Sequence, residues 1–224
     1  MIIPVISDIH GNPNFYEAVK DSEFIICLGD YVGASGENPD SNRCIDICKT
    51  MKGHFLIGNH DIEALQDVDK EYEITFVKEG IEYSSDFGIS EENKNWLRKT
   101  RKWFKTQIGK RNFLFIHSYL KENYFCYLDD EEIIFEFMET IKDQDSIVFI
   151  GHTHAPGVYS LNRDGVLTQK QISYGEWILF GGDGKYLVNV GSTGDPRDGK
   201  KTGTYVLFDT GEMAIKFCEV RSRE

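Results

Sequence analysis

The sequence predicts an α/β (α+β) fold in a single domain that spans residues 1–224. Short strands recur along the first two-thirds of the chain, helices separate them, and the last third is typical of strands joined by turns. The early strands are runs of three to five apolar residues, mostly β-branched or aromatic, that end at glycine or a polar residue. This composition indicates strands that are buried on both faces. The runs are Ile2–Ile6, Phe24–Leu28, Phe55–Ile57, Phe113–Ile116 and Ile147–Ile150.

Helical patterns fill the segments between these runs. Asn12–Lys20 has a capping residue followed by Pro13 in the first turn, where proline is favoured. Apolar residues recur on one side of Ser41–Met51, and Asp129–Lys142 repeats them at i, i+3 and i+4. Ser90 begins a further helix that carries Trp96 and Leu97.

The last third of the chain predicts strands joined by tight turns. They are Trp177–Phe180, Tyr186–Val190, Tyr205–Phe208 and Ala214–Val220. Asp183-Gly184 and Thr210-Gly211 are typical hairpin turns between such strands. No Pro- or Ser-rich linker divides the chain, so we expect a single domain. Residues 68–90 are acidic and weakly periodic, and no element is predicted there.

Composition excludes several classes of protein. Lys and Arg number 25 against 37 Asp and Glu, which gives a formal net charge of −12 with neutral His. Binding that depends on many phosphate contacts needs basic surface, so stable nucleic-acid binding and adhesion to an anionic membrane are disfavoured. No run approaches the roughly 18 apolar residues of a membrane span, and no signal peptide is predicted. Five cysteines without a CxxC pair favour free thiols, and we therefore expect a cytoplasmic protein.

The side chains that follow the five early strands share one kind of chemistry, because all are carboxylates, amides or imidazoles. They are Asp8, His10, Asp30, Asn59, His117, His152 and His154, with His60 beside them. Ligands of open α/β sheets bind beyond the carboxyl ends of strands, so we expect these side chains at one edge. A lone Asp or His after a strand is usually a turn residue, but that explanation would have to hold independently five times. Oxygen and nitrogen donors without thiolate suit Mn, Fe, Zn, Co or Ni, and two ions bridged by one carboxylate would use every donor.

The order of these blocks, DxH, GD, GNHD, H and GHxH, resembles the calcineurin-like metallophosphoesterase superfamily. Small single-domain bacterial and archaeal members are similar in two further places. One is Leu28–Gly33 followed by Asn38–Asn42, and the other is Asn189–Gly199, which resembles their GSxGxPRDG loop. The similarity covers most of residues 1–208. It implies a four-layer αββα sandwich of two mixed β-sheets flanked by helices.

The resemblance also implies a role for each residue. A first metal ion would be held by Asp8, His10, Asp30 and His154, and a second by Asp30, Asn59, His117 and His152. His60, oriented by Asp61, would be the acid and a phosphate contact. Two divalent ions, with Mn expected and Fe, Zn, Ni, Co or Mg as alternatives, would activate water for in-line attack on phosphorus.

Two positions depart from the family pattern. Tyr31-Val32-Gly33 stands where Ser/Thr phosphoprotein phosphatases carry Asp-Arg-Gly, which disfavours a protein-phosphatase activity. Val190 stands where many relatives have proline.

The expected substrate is a small phosphorylated molecule, with nucleotides among the alternatives. Its predicted contacts are Asn12, Asn59, His60 and Arg197. The planar guanidinium of Arg197 suits phosphate, and the alternative is an arginine in a surface turn. The basic run Arg98–Arg111 has seven Lys or Arg and no acid. We interpret it as a solvated helix end, with a nucleotide or RNA contact as the alternative.

Three functional hypotheses follow. The leading one is a metal-dependent hydrolase of small phosphomonoesters or phosphodiesters. A nuclease on the same fold is opposed by the acidic charge and by the absence of an obvious capping domain. A non-catalytic scaffold or binding protein is the third, although such proteins tend to lose ligands and every ligand position is filled here. Metal content together with turnover of a generic phosphodiester separates enzyme from scaffold.

Overall fold

Most predicted elements form within a few residues of their expected bounds. The computed structural model describes residues 1–33, 40–65, 87–121 and 124–220, so Asn38, Pro39 and residues 68–86 of the acidic segment lie outside it. Within the described residues the strands are β1 (Ile2–Ile6), β2 (Ile25–Cys27), β3 (Gly53–Phe55), β4 (Trp103–Ile108), β5 (Arg111–Ile116), β6 (Tyr119–Lys121), β7 (Tyr124–Cys126), β8 (Ser146–Ile150), β9 (Gly157–Leu161), β10 (Leu167–Lys170), β11 (Trp177–Leu179), β12 (Lys185–Asn189), β13 (Thr204–Asp209) and β14 (Ala214–Glu219). The helices are α1 (Tyr16–Val19), α2 (Ser41–Thr50), α3 (Asn59–Leu65), α4 (Glu91–Leu97) and α5 (Glu131–Thr140), with a 3₁₀ turn at Pro13–Phe15.

Two mixed six-stranded sheets form the centre of the fold. The first has the order β11-β14-β13-β1-β2-β3, and in it β1, β2 and β3 are parallel. The second has the order β10-β9-β12-β8-β5-β4, and in it β5, β8 and β12 are parallel. A separate hairpin is formed by β6 and β7. The carboxyl ends of each parallel set therefore meet at one edge of their sheet.

The sheets pack face to face, and helices cover their outer faces. Val5 of the first sheet and Phe149 of the second belong to one buried cluster between the sheets. Ile6 shares a cluster with apolar residues of α1, α2 and α4. Ile150 shares another with the buried residues of α5. These four layers confirm the expected αββα sandwich.

Capping residues define the beginnings of α4 and α5. Ser90 Oγ accepts the N–H of Asn93 at 3.3 Å, and Asp130 Oδ1 accepts the N–H of Glu132 at 2.8 Å. Each such cap stabilises a helix by about 1 kcal/mol. The apolar stripe predicted for α5 is confirmed at Ile134, Phe137 and Met138, which are buried, whereas Ile133 is 38% exposed.

Some expectations about the strands are wrong. Asp183-Gly184 is not a hairpin turn, because the flanking strands β11 and β12 belong to different sheets. Thr210-Gly211 does join the antiparallel strands β13 and β14, as expected. The basic run is not a helix end: α4 ends at Leu97, and β4 pairs antiparallel with β5 at the edge of the second sheet. The third strand is shifted to Gly53–Phe55, and Leu56 continues it through a bridge to Arg101.

All five cysteines are free thiols, as expected. No helix in the described part of the chain combines the length and the apolar character that a membrane crossing needs.

Candidate metal centre

Loops at the carboxyl ends of parallel strands from both sheets carry the seven predicted ligands. They follow β1 (Asp8, His10), β2 (Asp30), β5 (His117) and β8 (His152, His154), while Asn59 is the first residue of α3. None of the seven is more than 5% exposed. The structure therefore brings all of them together at one buried place.

Five of these residues adopt a left-handed backbone conformation. Their φ values are 54° at Asp8, 45° at His10, 56° at Asp30, 69° at His152 and 59° at His154. Residues other than glycine rarely adopt this backbone conformation, and backbone strain of this kind concentrates at functional sites. The turns after the strands are thus shaped to aim polar side chains inward.

Two glycines let these loops approach each other closely. A Cβ on Gly58 would lie 2.1 Å from Asp30 Oδ1. A Cβ on Gly151 would lie 2.0 Å from Ser7 Oγ and 2.4 Å from Asp8 Oδ2. Any larger residue at either position would displace a carboxylate of the centre.

The first cluster consists of Asp8, His10 and His154. Their candidate ligand atoms all lie within 4.8 Å of one another. His154 Nε2 is 3.3 Å from Asp8 Oδ1 and 2.9 Å from His10 Nε2. The other carboxylate oxygen, Asp8 Oδ2, accepts the backbone N–H of His152 at 3.0 Å, which fixes the orientation of the carboxylate.

The second cluster consists of Asp30, His117 and His152, again within 4.8 Å. His117 Nε2 is 3.2 Å from Asp30 Oδ2 and 3.0 Å from Asn59 Oδ1. Asp30 Oδ2 is also 3.8 Å from His10 Nε2, so Asp30 lies between the two clusters.

Charge and burial act in opposite directions on Asp30 and His117, and in the same direction on His152. Burial alone would raise the pKa of Asp30, but the neighbouring His117 and His60 hold it below its ordinary value. Burial likewise lowers the pKa of His117, yet Asp30 and Asp8 raise it to about 9. At His152, burial and the charge of His117 lower the pKa to about 3, which favours the neutral imidazole.

The donor set fits divalent metal ions. Asp8 Oδ1, Asp30 Oδ2 and His152 Nε2 are buried without a hydrogen-bond partner. Buried polar atoms are costly when they have no partner, and a cation in each cluster would satisfy all three. Carboxylate, amide and imidazole donors suit first-row divalent ions.

His60 lies at the border of the centre and is the most exposed of its histidines. Its ring is edge-on to that of His10, with centroids 4.8 Å apart, and its side chain is 20% exposed. Burial lowers the pKa of His60, while the charge of Asp30 opposes this shift. Its Nδ1 is buried without a hydrogen-bond partner.

Asp61, which was predicted to orient His60, is hydrogen-bonded to the backbone in the structure. Its Oδ2 accepts the N–H groups of Asp30 at 2.8 Å and Gly58 at 2.9 Å. Its Oδ1 accepts those of Tyr31 at 2.9 Å and Val32 at 3.1 Å. With both oxygens engaged by backbone N–H groups, Asp61 clamps the loop after β2 that carries Asp30.

The acidic group next to His60 Nδ1 is Glu63, whose Oε2 lies 3.6 Å away. Residues three apart share one face of a helix, and both belong to α3. Glu63 is missing from the residues predicted from the sequence, although the i, i+3 spacing after the GNHD block could have indicated it.

The two remaining predicted substrate contacts lie beside the centre. Asn12 Nδ2 donates to the Gly194 carbonyl at 3.0 Å, and its Oδ1 accepts the N–H of Asn14 at 3.1 Å, so both ends are engaged within the chain. Arg197 is half-exposed, and its Nη2 lies 3.1 Å from Asp195 Oδ2. The same Asp195 oxygen is 3.2 Å from His154 Nδ1, which connects Arg197 to the first cluster.

Comparison with known proteins gives a consistent picture. A sequence model of the calcineurin-like phosphoesterase superfamily domain matches residues 1–213. An uncharacterized protein of Methanocaldococcus jannaschii is 28% identical over 235 residues, which cover 98% of this chain and 87% of that protein. A metallophosphoesterase from Sphaerobacter thermophilus has a TM-score of 0.77 at 23% identity, covering 100% of this chain and 89% of the other. A hypothetical protein from Pyrococcus horikoshii has a TM-score of 0.65 at 17% identity, with the same two coverages.

Proposed function

The chain belongs to the calcineurin-like phosphoesterase superfamily, and on this premise we propose that it hydrolyses phosphomonoesters or phosphodiesters of small molecules with two divalent ions. The first ion would be held by Asp8, His10, Asp30 and His154, and the second by Asp30, Asn59, His117 and His152. Manganese is the proposed ion among the first-row metals that such donors accept. The free thiols support a reducing compartment, and we place the protein in the cytoplasm.

One observation carries this proposal: Asp30 joins two buried donor clusters through an oxygen that has no hydrogen-bond partner. Asp30 Oδ2 lies 3.8 Å from His10 Nε2 and 3.2 Å from His117 Nε2. Its other oxygen accepts the N–H of His60 at 2.9 Å, which leaves Oδ2 to face both clusters. Ions bound there supply Lewis-acid activation of water and neutralise charge on phosphoryl oxygens.

The acid is His60 in this proposal. Because Nδ1 faces Glu63, the Nε2 atom remains to contact a phosphate oxygen and to protonate the departing alkoxide. Glu63 takes the orienting role that the sequence had suggested for Asp61, because its carboxylate is the acidic group beside Nδ1, at 3.6 Å. Arg197 adds a guanidinium fork toward the anionic substrate.

The test combines elemental analysis with turnover of bis(p-nitrophenyl) phosphate and p-nitrophenyl phosphate in the presence of Mn²⁺. We expect two ions per chain and metal-dependent hydrolysis. Asp30→Asn should weaken both sites and abolish turnover. Asp46→Asn is the matched control, because Asp46 is an exposed acid on α2 with a 62% exposed side chain. Two bound ions without turnover of either ester would favour a scaffold, and normal activity of Asp30→Asn would exclude the shared-ligand arrangement.

A further inference from the structure

An exposed aromatic ring stands beside the second cluster, and nothing in the sequence pattern pointed to it. The Tyr127 ring lies against the His152 ring, with centroids 4.4 Å apart and planes 32° from parallel. Tyr127 is nevertheless 46% exposed, so His152 covers only part of it. Single exposed aromatics are common on protein surfaces, and the significance of this one is its position at a buried metal centre.

The position of Tyr127 is set by the β6–β7 hairpin. Tyr127 follows β7 directly, and Ser118 Oγ donates to the carbonyl of Cys126 at 2.6 Å. Ser118 is itself the residue after His117, so the end of the hairpin is tied to the loop of a predicted ligand. Phe125 adds a second ring, with its centroid 5.6 Å from that of His117. The hairpin therefore delivers aromatic surface to the site and holds it there.

A cationic group completes this surface. The Arg197 guanidinium contacts the Tyr127 side chain and also donates to Asp195 from Nε and Nη2, at 3.3 and 3.1 Å. Arginine has five N–H donors in a planar fork, so donors remain for a phosphate oxygen. A half-exposed ring and a half-exposed guanidinium thus lie side by side at the same metal centre.

We infer that Tyr127 is a stacking platform for a planar aromatic base, and that the site takes nucleoside phosphates whose phosphate lies between Arg197 and the metal clusters. The inference rests on the proposed function, because it assigns the substrate class of the same centre. A nucleoside phosphate matches the surface at both ends: every base has a face that can stack on an aromatic ring, and its phosphate carries the charge that the guanidinium and the ions attract. A sugar phosphate without a base would leave the ring of Tyr127 uncovered.

The experiment measures binding, which keeps it independent of turnover. The probes are the phosphonate analogues of adenosine 5′-monophosphate and of ribose 5-phosphate, in which carbon replaces the ester oxygen so that neither is hydrolysed. Isothermal titration of the Mn²⁺-loaded full chain gives their two dissociation constants. One stacked base corresponds to about a 5- to 150-fold preference for the adenosine compound, or roughly 1–3 kcal/mol.

Three variants separate stacking from other roles of the ring. Tyr127→Leu should reduce the preference to about one without loss of metal, whereas Tyr127→Phe should keep most of it because the ring remains. Trp177→Leu removes another exposed aromatic, which is 40% exposed on the edge strand β11, and should leave the preference unchanged.

Two outcomes would overturn the inference. One is equal affinity of the wild-type protein for the two probes. The other is a Tyr127→Leu protein that loses metal and both probes alike, since the ring would then only support His152. Hydrolysis of generic esters with no preference for the base would defeat this inference alone. A clear preference in a protein that hydrolyses no ester would instead defeat the proposed function.

Discussion

Replacing Asp61 by asparagine distinguishes a structural clamp from a catalytic partner of His60. The carboxylate accepts four backbone N–H groups, two on each oxygen, at 2.8–3.1 Å. It joins the Gly58 turn to residues 30–32, the loop that carries Asp30. Burial and the charge of Asp30 raise the pKa of Asp61 to about 7 against the effect of these donors, so the assay belongs in alkaline buffer, where the carboxylate is ionised.

The size of the effect follows from the geometry of the amide. Asparagine keeps one acceptor oxygen, and its NH₂ group faces two of the N–H donors, so two hydrogen bonds to a charged acceptor are lost. Each is worth about 1.5–3 kcal/mol, or about 3–6 kcal/mol together. The raised pKa of Asp61 means that its buried charge costs stability when it is ionised, and removing that charge offsets part of the loss, so we expect a net loss of about 1–3 kcal/mol in the free energy of unfolding. In a chain of this length that net loss corresponds to a fall in Tm of about 2–12 °C.

Denaturation by guanidinium, followed by circular dichroism, measures this loss directly. Asp46→Asn is the control: Asp46 is exposed and pairs with Lys49 at 3.2 Å, so its replacement should cost less than about 1 kcal/mol. If Asp61→Asn were as stable as the control while its kcat fell on alkyl esters alone, the clamp role of Asp61 would be wrong. Asp61 would then be the orienting residue that the family resemblance suggested.

Three further predictions concern the same centre. His60→Ala should keep both ions and lower kcat by about 10²–10⁴-fold on alkyl esters. The loss should be much smaller on p-nitrophenyl esters, because nitrophenolate leaves without a proton. Equal losses of kcat across a series of leaving groups would remove the acid role of His60. Glu63→Gln should lower kcat by about 10–100-fold, with the same dependence on the leaving group and with unchanged metal content. Glu63→Asp should recover part of this loss. An effect on KM alone would contradict the orienting role of Glu63. Gly151→Ala should lower the free energy of unfolding by about 1–3 kcal/mol in a denaturant titration and reduce the amount of bound metal. The reason is that the new Cβ would lie 2.4 Å from Asp8 Oδ2 and 2.0 Å from Ser7 Oγ. A variant with wild-type stability and metal content would contradict this close packing.

Elements whose signal is local were predictable from the sequence. The buried β-branched runs of β1 and β8 and the capped, striped helix α5 carry their pattern within a few residues. The edge strands β4 and β10 were missed because their outward residues are charged or polar and their pairing partners decide the conformation. The division of β11 and β12 between two sheets depends on contacts far apart in the chain, so the turn residues between them were misleading.

The residues of the candidate site also differ in whether a local sequence signal could identify them. Residues that follow strands were identifiable because the carboxyl ends of parallel strands meet at one edge, and the structure does bring all seven together. The surroundings of His60 were not identifiable, since a neighbouring carboxylate in the sequence, Asp61, turns toward the backbone while Glu63 faces the ring. Tyr127 lies on a hairpin whose relation to His152 is visible only in three dimensions.

The backbone of the centre argues for metal binding over a metal-free scaffold. Five predicted ligands have φ between 45° and 69°, and such strain costs about 1–3 kcal/mol per residue, which together is comparable to the roughly 5–15 kcal/mol that stabilises a whole domain. Glycine would relieve the strain at every one of these turns, but it would supply no donor atom. Bound cations stabilise the native state by mass action and would satisfy the oxygens of Asp8 and Asp30 that have no hydrogen-bond partner. Their binding free energy would therefore offset the backbone strain at these five residues. A fold that served only as a scaffold would gain stability from glycine at these turns, whereas this chain carries a carboxylate or an imidazole at each of them.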